Sequence, residues 1–586
     1  MATIPADPAA TAPQWFGHPR QLAWLFSTEL WERFGFYGLR ALLVLYLTKH
    51  FVYGDKAAGG MYGAYLSLSY LTPFIGGLLA DRFLGSKRAV KFGAIVMSVG
   101  YLVLCFGGDG ARPVATFDGT RHAVAVEQVG GEEQRFVVDH DARLRIRGND
   151  DGSVALLAAD GHVARTIAKA DFVADAERSP LYVGVMLLAL ATVTVGNGFF
   201  KPNISTMVGA LYAAGDRRRD AGFTIFYMGI NLGSLGSQIL CPFLAIAFGW
   251  WAGFGLAAVG MLIAWGLIQF DGGRLAGFGE PPVQTGRDRA PLIYLAAIAA
   301  IAVPWLLFSN TLAAVPAAAG SGLGGYLAAL PVLGKALFAT FLIGVPAILV
   351  WSYRVGSRTE FQMMLAAMIL IVFNVTFWTL FEQAGSSLTL FADRNTDLSV
   401  FGLFTISAGQ TQFFNAIFIV LLAPVFAALW AAMARRGIEP GIPVKFGIAL
   451  IGVGVGFLFL VWGTTFVGPE YKVGIWWLAG LYLIHSMAEL CISPVGLSMI
   501  TKLSIVRIVG MMMGVWFLSI SVAEYVGGIV AQVASVETVG GQVTNLKVSL
   551  LTYAGVFQTI GLVAAGIGVI LLAVSPFLKR LMHGVD

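Results

Sequence analysis

Fourteen separate apolar runs, each long enough to cross a bilayer, decide what this chain folds into. They lie near 22–48, 58–80, 89–107, 181–212, 221–247, 250–270, 291–308, 333–352, 361–391, 410–433, 444–467, 473–500, 509–532 and 549–577. A helix needs about 20 residues to span the hydrocarbon core. Backbone polar groups in lipid must be satisfied within the segment, so runs of this length predict helices. Composition agrees, because only 12% of the 586 residues are charged, whereas a soluble globular domain is about 25% charged. The reading is an all-α polytopic membrane protein.

The charges between the runs orient it. With the N-terminus inside, the cytoplasmic connections are "DRFLGSKR", "GDRRRDAG", "DGGRLAGFGEPPVQTGRDR", "YRVGSRTE", "MARRGIEPGIPVK", "TKLSIVR" and the tail "LKRLMHGVD". These hold most of the loop Lys and Arg, while "YGDKAAGG", "ADRNTDLS" and "GPEYK" on the other side hold few, as the positive-inside rule requires. The net charge of +5 is therefore topological and does not point to nucleic acid. The first 20 residues lack a charged region leading into a short apolar stretch with a small-residue cleavage site, so the first span is expected to act as an uncleaved anchor. Cys105, Cys241 and Cys491 all fall in apolar segments and make no disulfide framework.

One connection differs from the rest. Residues 108–180, between the third and fourth runs, are polar, with period-2 stretches such as "RFVVDHDARLRIRG" and "GSVALLA" and turn signals "GND", "DDG" and "ADG". That pattern predicts a small β-rich insert on the extracytoplasmic face. Its histidines, His122, His140 and His162, lack metal-ligand spacing and read as solvated surface.

Ionisable residues inside spans are the functional signal, since each costs roughly 2.5–3.5 kcal/mol at the bilayer centre. "ELWERFGFYGLR" holds Glu29, Glu32, Arg33 and Arg40; elsewhere stand Lys201, Glu382, Glu489 and, nearer a helix end, Glu524. At about 100° per residue, Glu29, Arg33, Phe36 and Arg40 share one stripe, with Glu32 and Tyr37 to either side. Such charges either staple helices together or line an aqueous cavity. Two acids, two bases and a phenol on one stripe exceed what stapling needs. Lys201 precedes Pro202 and follows Gly196 and Gly198, a site of helix irregularity suited to a cavity wall. A carboxylate that pairs with and leaves such a cation couples proton binding to helix movement.

These residues also carry a resemblance. "ELWERFGFYG" resembles the ExxERFxYYG signature of the proton-dependent oligopeptide transporters, a branch of the major facilitator superfamily. "FFKPNIS", "FTIFYMGINLGSL", "FEQAGSSL" and "AELCISPVGLSM" resemble the family's motifs on helices four, five, seven and ten, and "GGLLADRFLGSKR" resembles the superfamily loop between helices two and three. The likeness covers nearly the whole chain outside 108–180. It implies twelve core helices in two six-helix bundles, 21–270 and 359–578, with two additional helices in 290–353, flanked by cytoplasmic ends 1–20 and 579–586. It further implies a monomeric symporter of the bacterial inner membrane that imports di- and tripeptides by alternating access, with the proton as coupling ion and no cofactor.

Carried over residue by residue, the resemblance assigns the peptide carboxylate to Arg40 and Lys201 and the amino terminus to Glu489. Glu382 is the proton-coupling carboxylate, expected to pair with Arg40, and Glu29, Glu32 and Arg33 form a network with Lys201. Tyr37, Tyr70, Asn231, Asn415 and Trp516 match cavity-lining positions. A zwitterionic peptide of varied side chains needs a fixed cation, a fixed anion and a tolerant wall, which this set supplies. Three departures stand out: Phe36 replaces a signature tyrosine, Gly63 stands where mammalian relatives use a coupling histidine, and Ala416 stands where proline is usual. His485, one turn from Glu489, is expected to be neutral and packed or pore-lining. Alternatives are a transporter of the same fold for nitrate, a drug or an amino acid, and a membrane-embedded binding or sensing protein using the insert. No phosphate loop, nucleophile triad or metal cluster is visible in the sequence, which argues against an enzyme.

Overall fold

The computed structural model describes residues 14–129, 132–139, 142–213, 216, 218–275, 277–281, 288–314 and 322–585. The first runs form helices α1 (Gln21–Leu45), α2 (Asp55–Leu79), α3 (Ser86–Leu104), α4 (Pro180–Ala210), α5 (Arg218–Phe248) and α6 (Trp250–Gln269). Then come α7 (Ala290–Ala299), α8 (Ala302–Leu312), a short α9 (Gly322–Ala329) and α10 (Val332–Val355). The remainder are α11 (Arg358–Phe381), α12 (Ser387–Asn395), α13 (Phe413–Arg435), α14 (Ile442–Gly463), α15 (Ile475–Leu503), α16 (Val509–Val533) and α17 (Leu546–Leu581).

Each expected span falls on helix. Twelve helical stretches among the described residues are long and apolar enough to cross a membrane, α7 with α8 and α11 with α12 each counting as one. The labelled helices outside that set are α1, with its four charges, α3, whose start carries Lys87, Arg88 and Lys91, and the short α9. The run near 291–308 is broken at Ala300–Ile301 into α7 and α8, where Pro304 in the first turn of α8 has no N–H to bond back to the Ala300 carbonyl.

Burial separates the helices by task. The most apolar stretch of α4 is 78% buried within the protein, whereas those of α7–α8 and α10 are 17% and 22% buried. Helices that are apolar all round yet so exposed present their side chains to lipid.

Packing divides the chain into two compact units, one of Met1–Arg40, Leu68–Phe106 and Val185–Leu306, the other of Ala41–Ser67, Gly107–Gly184 and Leu307–Asp586. In the first unit α6 packs on α3 and α5. In the second, α14 packs on α15 and α17, α11 on α16, and α13 on α15. The α1–α2 corner is built into the second unit through glycines. A Cβ added at Gly63 would lie 2.7 Å from the Gly528 Cα, and Gly59 meets Ala531 in the same way. Ser521 completes this seam by donating to the Ser67 carbonyl at 2.9 Å.

The insert is a seven-stranded antiparallel sheet: β1 (Arg112–Phe117), β2 (Thr120–Val129), β3 (Glu132–Asp139), β4 (Ala142–Gly148), β5 (Val154–Leu157), β6 (Val163–Ile167) and β7 (Val173–Glu177). Its order is β6-β5-β4-β3-β2-β1-β7, a meander whose last strand returns to pair with the first. Gly152 and Gly161, both at positive φ, sit in the expected turns. Ala115, Phe117, Val124, Val137, Ile146, Val154, Leu156 and Ile167 make its core. His122 stacks on Phe117 with ring centroids 4.2 Å apart, and His162 pairs with Asp160 at an exposed turn. His140 lies outside the described residues.

Candidate functional site

On α1, the guanidinium of Arg33 lies between two carboxylates. Its Nη2 donates to Glu32 Oε1 at 2.5 Å and its Nε donates to Glu32 Oε2, while Glu29 Oε1 is 3.3 Å from Nε. Glu29, Glu32 and Arg33 are almost completely buried. Three buried charges are tolerable only because they compensate one another. The structure brings these three side chains together.

Lys201 joins them through aromatic faces. Helices α2 and α4 approach so closely that a Cβ at Gly198 would be 3.0 Å from the Thr72 carbonyl oxygen. Asn197 donates to the Ser69 carbonyl at 2.6 Å and Thr72 to the Thr194 carbonyl at 3.0 Å. This packing sets the Lys201 ammonium 3.7 Å from the centroid of Tyr70 and 5.9 Å from that of Phe36. The Phe36 ring also has Arg33 at 4.8 Å, so it faces two cations. Tyr37 lies beside Arg40, 5.6 Å from ring centroid to guanidinium carbon. Asn231, on α5, is buried and donates to the Tyr227 carbonyl one turn earlier. All these residues belong to the first unit.

The second unit holds the other candidates. Glu489 on α15 is buried and accepts from Asn415 Nδ2 at 3.1 Å, and the same amide reaches Ser486 Oγ at 3.0 Å. Asn415 stands in the first turn of α13, just after a 3₁₀ turn, Ala408–Gln412, that is capped reciprocally by Ser407 and Gln410. Ala416 follows within α13 and is buried. Glu382 is buried in a 3₁₀ turn, Glu382–Gly385, that ends α11 and redirects the chain into α12. Gln383 beside it donates to the Thr379 and Gly527 carbonyls, each at 3.0 Å. Trp516 is buried on α16 against Gly496. Glu524 is buried on the same helix.

His485 is packed. Its Nε2 lies 3.1 Å from the Val453 carbonyl, and Phe381 and Phe457 flank the ring. An added Cβ at Gly456 would collide with it. Gly63 likewise has a packing reason, since any side chain there meets the Gly528 backbone. A histidine at 63 is excluded by this seam.

Sequence reasoning missed a buried ion pair. Arg394, at the end of α12, donates from Nη1 to Asp55 Oδ2 and from Nη2 to Asp55 Oδ1, both at 2.6 Å. Arg394 Nη1 also lies 2.9 Å from the Tyr553 hydroxyl, and Asp55 accepts from the Val536 amide at 2.9 Å. Both charged residues are at most 3% exposed. Their positions in short polar loops, 339 residues apart, gave no sign of burial or of pairing.

The geometry is that of charged side chains held by helix packing in an otherwise apolar protein, and the comparisons with known proteins place it. The sequence profile of the POT family matches residues 153–286 and 332–546. The chain belongs to the POT family. Among relatives, dipeptide and tripeptide permease A of Edwardsiella piscicida is 30% identical over 577 residues, covering 97% of this chain and 96% of the permease. The uncharacterized transporter YclF of Bacillus subtilis is 32% identical over 580 residues, covering 97% and 96%. A crystal structure of peptide transporter POT in complex with sulfate superposes with a TM-score of 0.71 at 28% identity, covering 98% of this chain and 99% of that one. A bacterial homologue of the human drug peptide transporters PepT1 and PepT2 gives 0.70 at 26% identity, covering 96% and 98%. This POT-family chain is thus a multi-pass membrane protein with the major facilitator fold, two six-helix bundles with two additional helices, and a β-sheet insert between α3 and α4. Its named relatives are permeases and transporters, not enzymes.

Proposed function

We propose that this protein is a proton-coupled importer of di- and tripeptides in a bacterial inner membrane. It works by alternating access between bundles 21–270 and 359–578, the helices of 290–353 standing outside them, with both termini in the cytoplasm. The observation that carries the reading is the chemistry of the two charge sets. Arg40 and Lys201, beside Tyr37 and Tyr70, offer cations with aromatic walls to a peptide carboxylate. Glu489, oriented by Asn415, offers an anion to an amino terminus. Asn231 and Trp516 extend the wall. A ligand charged at both ends and varied between them matches such a set, and sites of this kind lie at the repeat interface of secondary transporters.

Glu382 is the coupling carboxylate in this reading. Ionised, it holds Arg40; protonated, it frees Arg40 for the peptide carboxylate. Glu29, Glu32 and Arg33 keep the charge around Lys201 balanced as that exchange proceeds. The names of the relatives, two of them peptide transporters by description, support the substrate class.

The test is dialanine uptake into proteoliposomes with and without an inwardly directed proton gradient. Accumulation above the external concentration, only with the gradient, is expected. Uptake that merely equilibrates, with or without the gradient, overturns the coupling; no uptake of dialanine overturns the substrate class.

A further inference from the structure

The sheet insert is tethered at one end to α3 and at the other to α4, yet its core is completed by a residue from elsewhere. Val539, in the loop between α16 and α17, is 3% exposed and packs among Ala115, Phe117, Val124 and Val137. The hairpin that carries it, Thr538–Val543, packs against β1 and β7. Around this plug lies a ring of polar contacts. The Gly148 amide donates to the Thr544 carbonyl at 3.1 Å, and Asn545 Nδ2 donates to the Gly148 carbonyl at 3.2 Å and to Asp150 at 3.1 Å. Lys547 donates to Asp150 at 2.5 Å, and Lys169 pairs with Glu537 at 3.2 Å.

The chain ends flanking β1 and β7 grip the α1–α2 corner. Arg178 donates from Nε to the Phe51 carbonyl at 2.8 Å and from Nη2 to the Val52 carbonyl at 2.7 Å, with its guanidinium over Tyr53. Ala111 donates to the His50 carbonyl at 2.8 Å. The insert therefore holds at once the corner of the N-terminal bundle and the α16–α17 loop of the C-terminal bundle.

We propose that the insert is a strap that holds these helix ends together and must release the α16–α17 loop each time the ends separate in the transport cycle. The inference rests on the alternating-access reading, which makes the two bundles part at this face. Exposed ion pairs such as Lys169–Glu537 add little to the hold, so the buried valine carries most of it. Hydrogen bonds from Lys547 and then Asn545 hold the Asp150 carboxyl below its ordinary range, so this contact keeps its charge at the neutral pH where a proton gradient acts. The strap thus sets how readily the face opens.

Two arms test this in a background with Cys105, Cys241 and Cys491 replaced by serine. In the first, Gly148→Cys and Thr544→Cys are combined. A Cβ at position 148 would be 3.0 Å from the Thr544 Cβ, close to the roughly 3.5–4.5 Å of a disulfide. Oxidation is expected to cut dialanine uptake at least ten-fold, with recovery on reduction; full uptake by protein shown to be cross-linked overturns the strap. In the second, Val539→Ala is combined with the reporter Ser521→Cys, whose site lies in the α2–α16 seam. A membrane-impermeant maleimide, applied from each side in turn, should label it about 15-fold faster than in the parent, from the loss of roughly two buried methyl groups. Asp150→Ala with Lys169→Ala, both on the exposed insert, should speed labelling less and serves if Val539→Ala folds poorly. Unchanged labelling in all of these variants overturns the strap. If the parent moves no peptide, the substrate reading fails while the labelling arm still reports on the strap. Labelling only from the interior side overturns the orientation alone.

Discussion

Phe36 shows what a single departure from a family signature does chemically. Its ring keeps two cations, Arg33 at 4.8 Å and Lys201 at 5.9 Å, on its aromatic faces. A cation–π contact is worth about 0.5–2 kcal/mol. Phe36→Leu should therefore raise the KM for dialanine roughly 2- to 30-fold, while Phe36→Tyr stays near the parent. An unchanged KM in Phe36→Leu would remove the ring from the account. At Glu382 the expected change is of another kind. Glu382→Gln cannot release and rebind a proton, so gradient-driven accumulation should vanish while peptide counterflow between equal pH values persists. Gradient-driven accumulation that survives in this variant would move the coupling to another carboxylate. The charged residues of α1 were legible in the sequence because charge in lipid is costly enough to demand a reason. The faces that hold Lys201 were not, since they depend on how closely α2 meets α4.

The same limit appears among the elements. Runs of apolar residues located the helices, and alternation with glycine turns located the sheet, because both signals are local and periodic. The seam between α2 and α16 has no such period. It is made by Gly59 and Gly63 facing Gly528 and Ala531, and the neighbour of Gly63 is backbone, which cannot swing aside. A glycine in an apolar run reads as a packing residue only once its partner helix is known. Overpacking of a core typically costs about 1–3 kcal/mol. Gly63→Ala should accordingly lower the Tm in detergent, and Gly63→His should lower it further without providing a coupling histidine. A Tm equal to the parent's in Gly63→Ala would mean that the helices part easily there. The strap described above bridges the same pair of chain regions from outside the membrane, so weakening either should favour parting of the same helix ends.

At the scale of the whole molecule, the buried Arg394–Asp55 pair with Tyr553 joins parts of the chain 339 residues apart. Removing one partner of a buried pair typically costs about 3–5 kcal/mol, yet replacing both by well-packed apolar residues is often neutral or stabilising by about 1–4 kcal/mol. Stability alone therefore gives no reason to use charge here. Motion does. When helix ends separate, water enters and hydrates both ions, which recovers much of the desolvation cost of burying them. An apolar contact in the same place would expose surface at roughly 25 cal/mol per Å² with nothing returned. The two designs differ in the open state more than in the closed one, and a transporter must visit both. Arg394→Ala alone leaves the Asp55 carboxylate buried with the Val536 amide and should lower the Tm in detergent sharply. Asp55→Leu with Arg394→Met should keep or raise the Tm while slowing dialanine turnover, because the closed state is retained and the open one is penalised. Turnover equal to the parent's in a double variant of equal or higher Tm would show that the pair serves packing and that the helix ends part elsewhere.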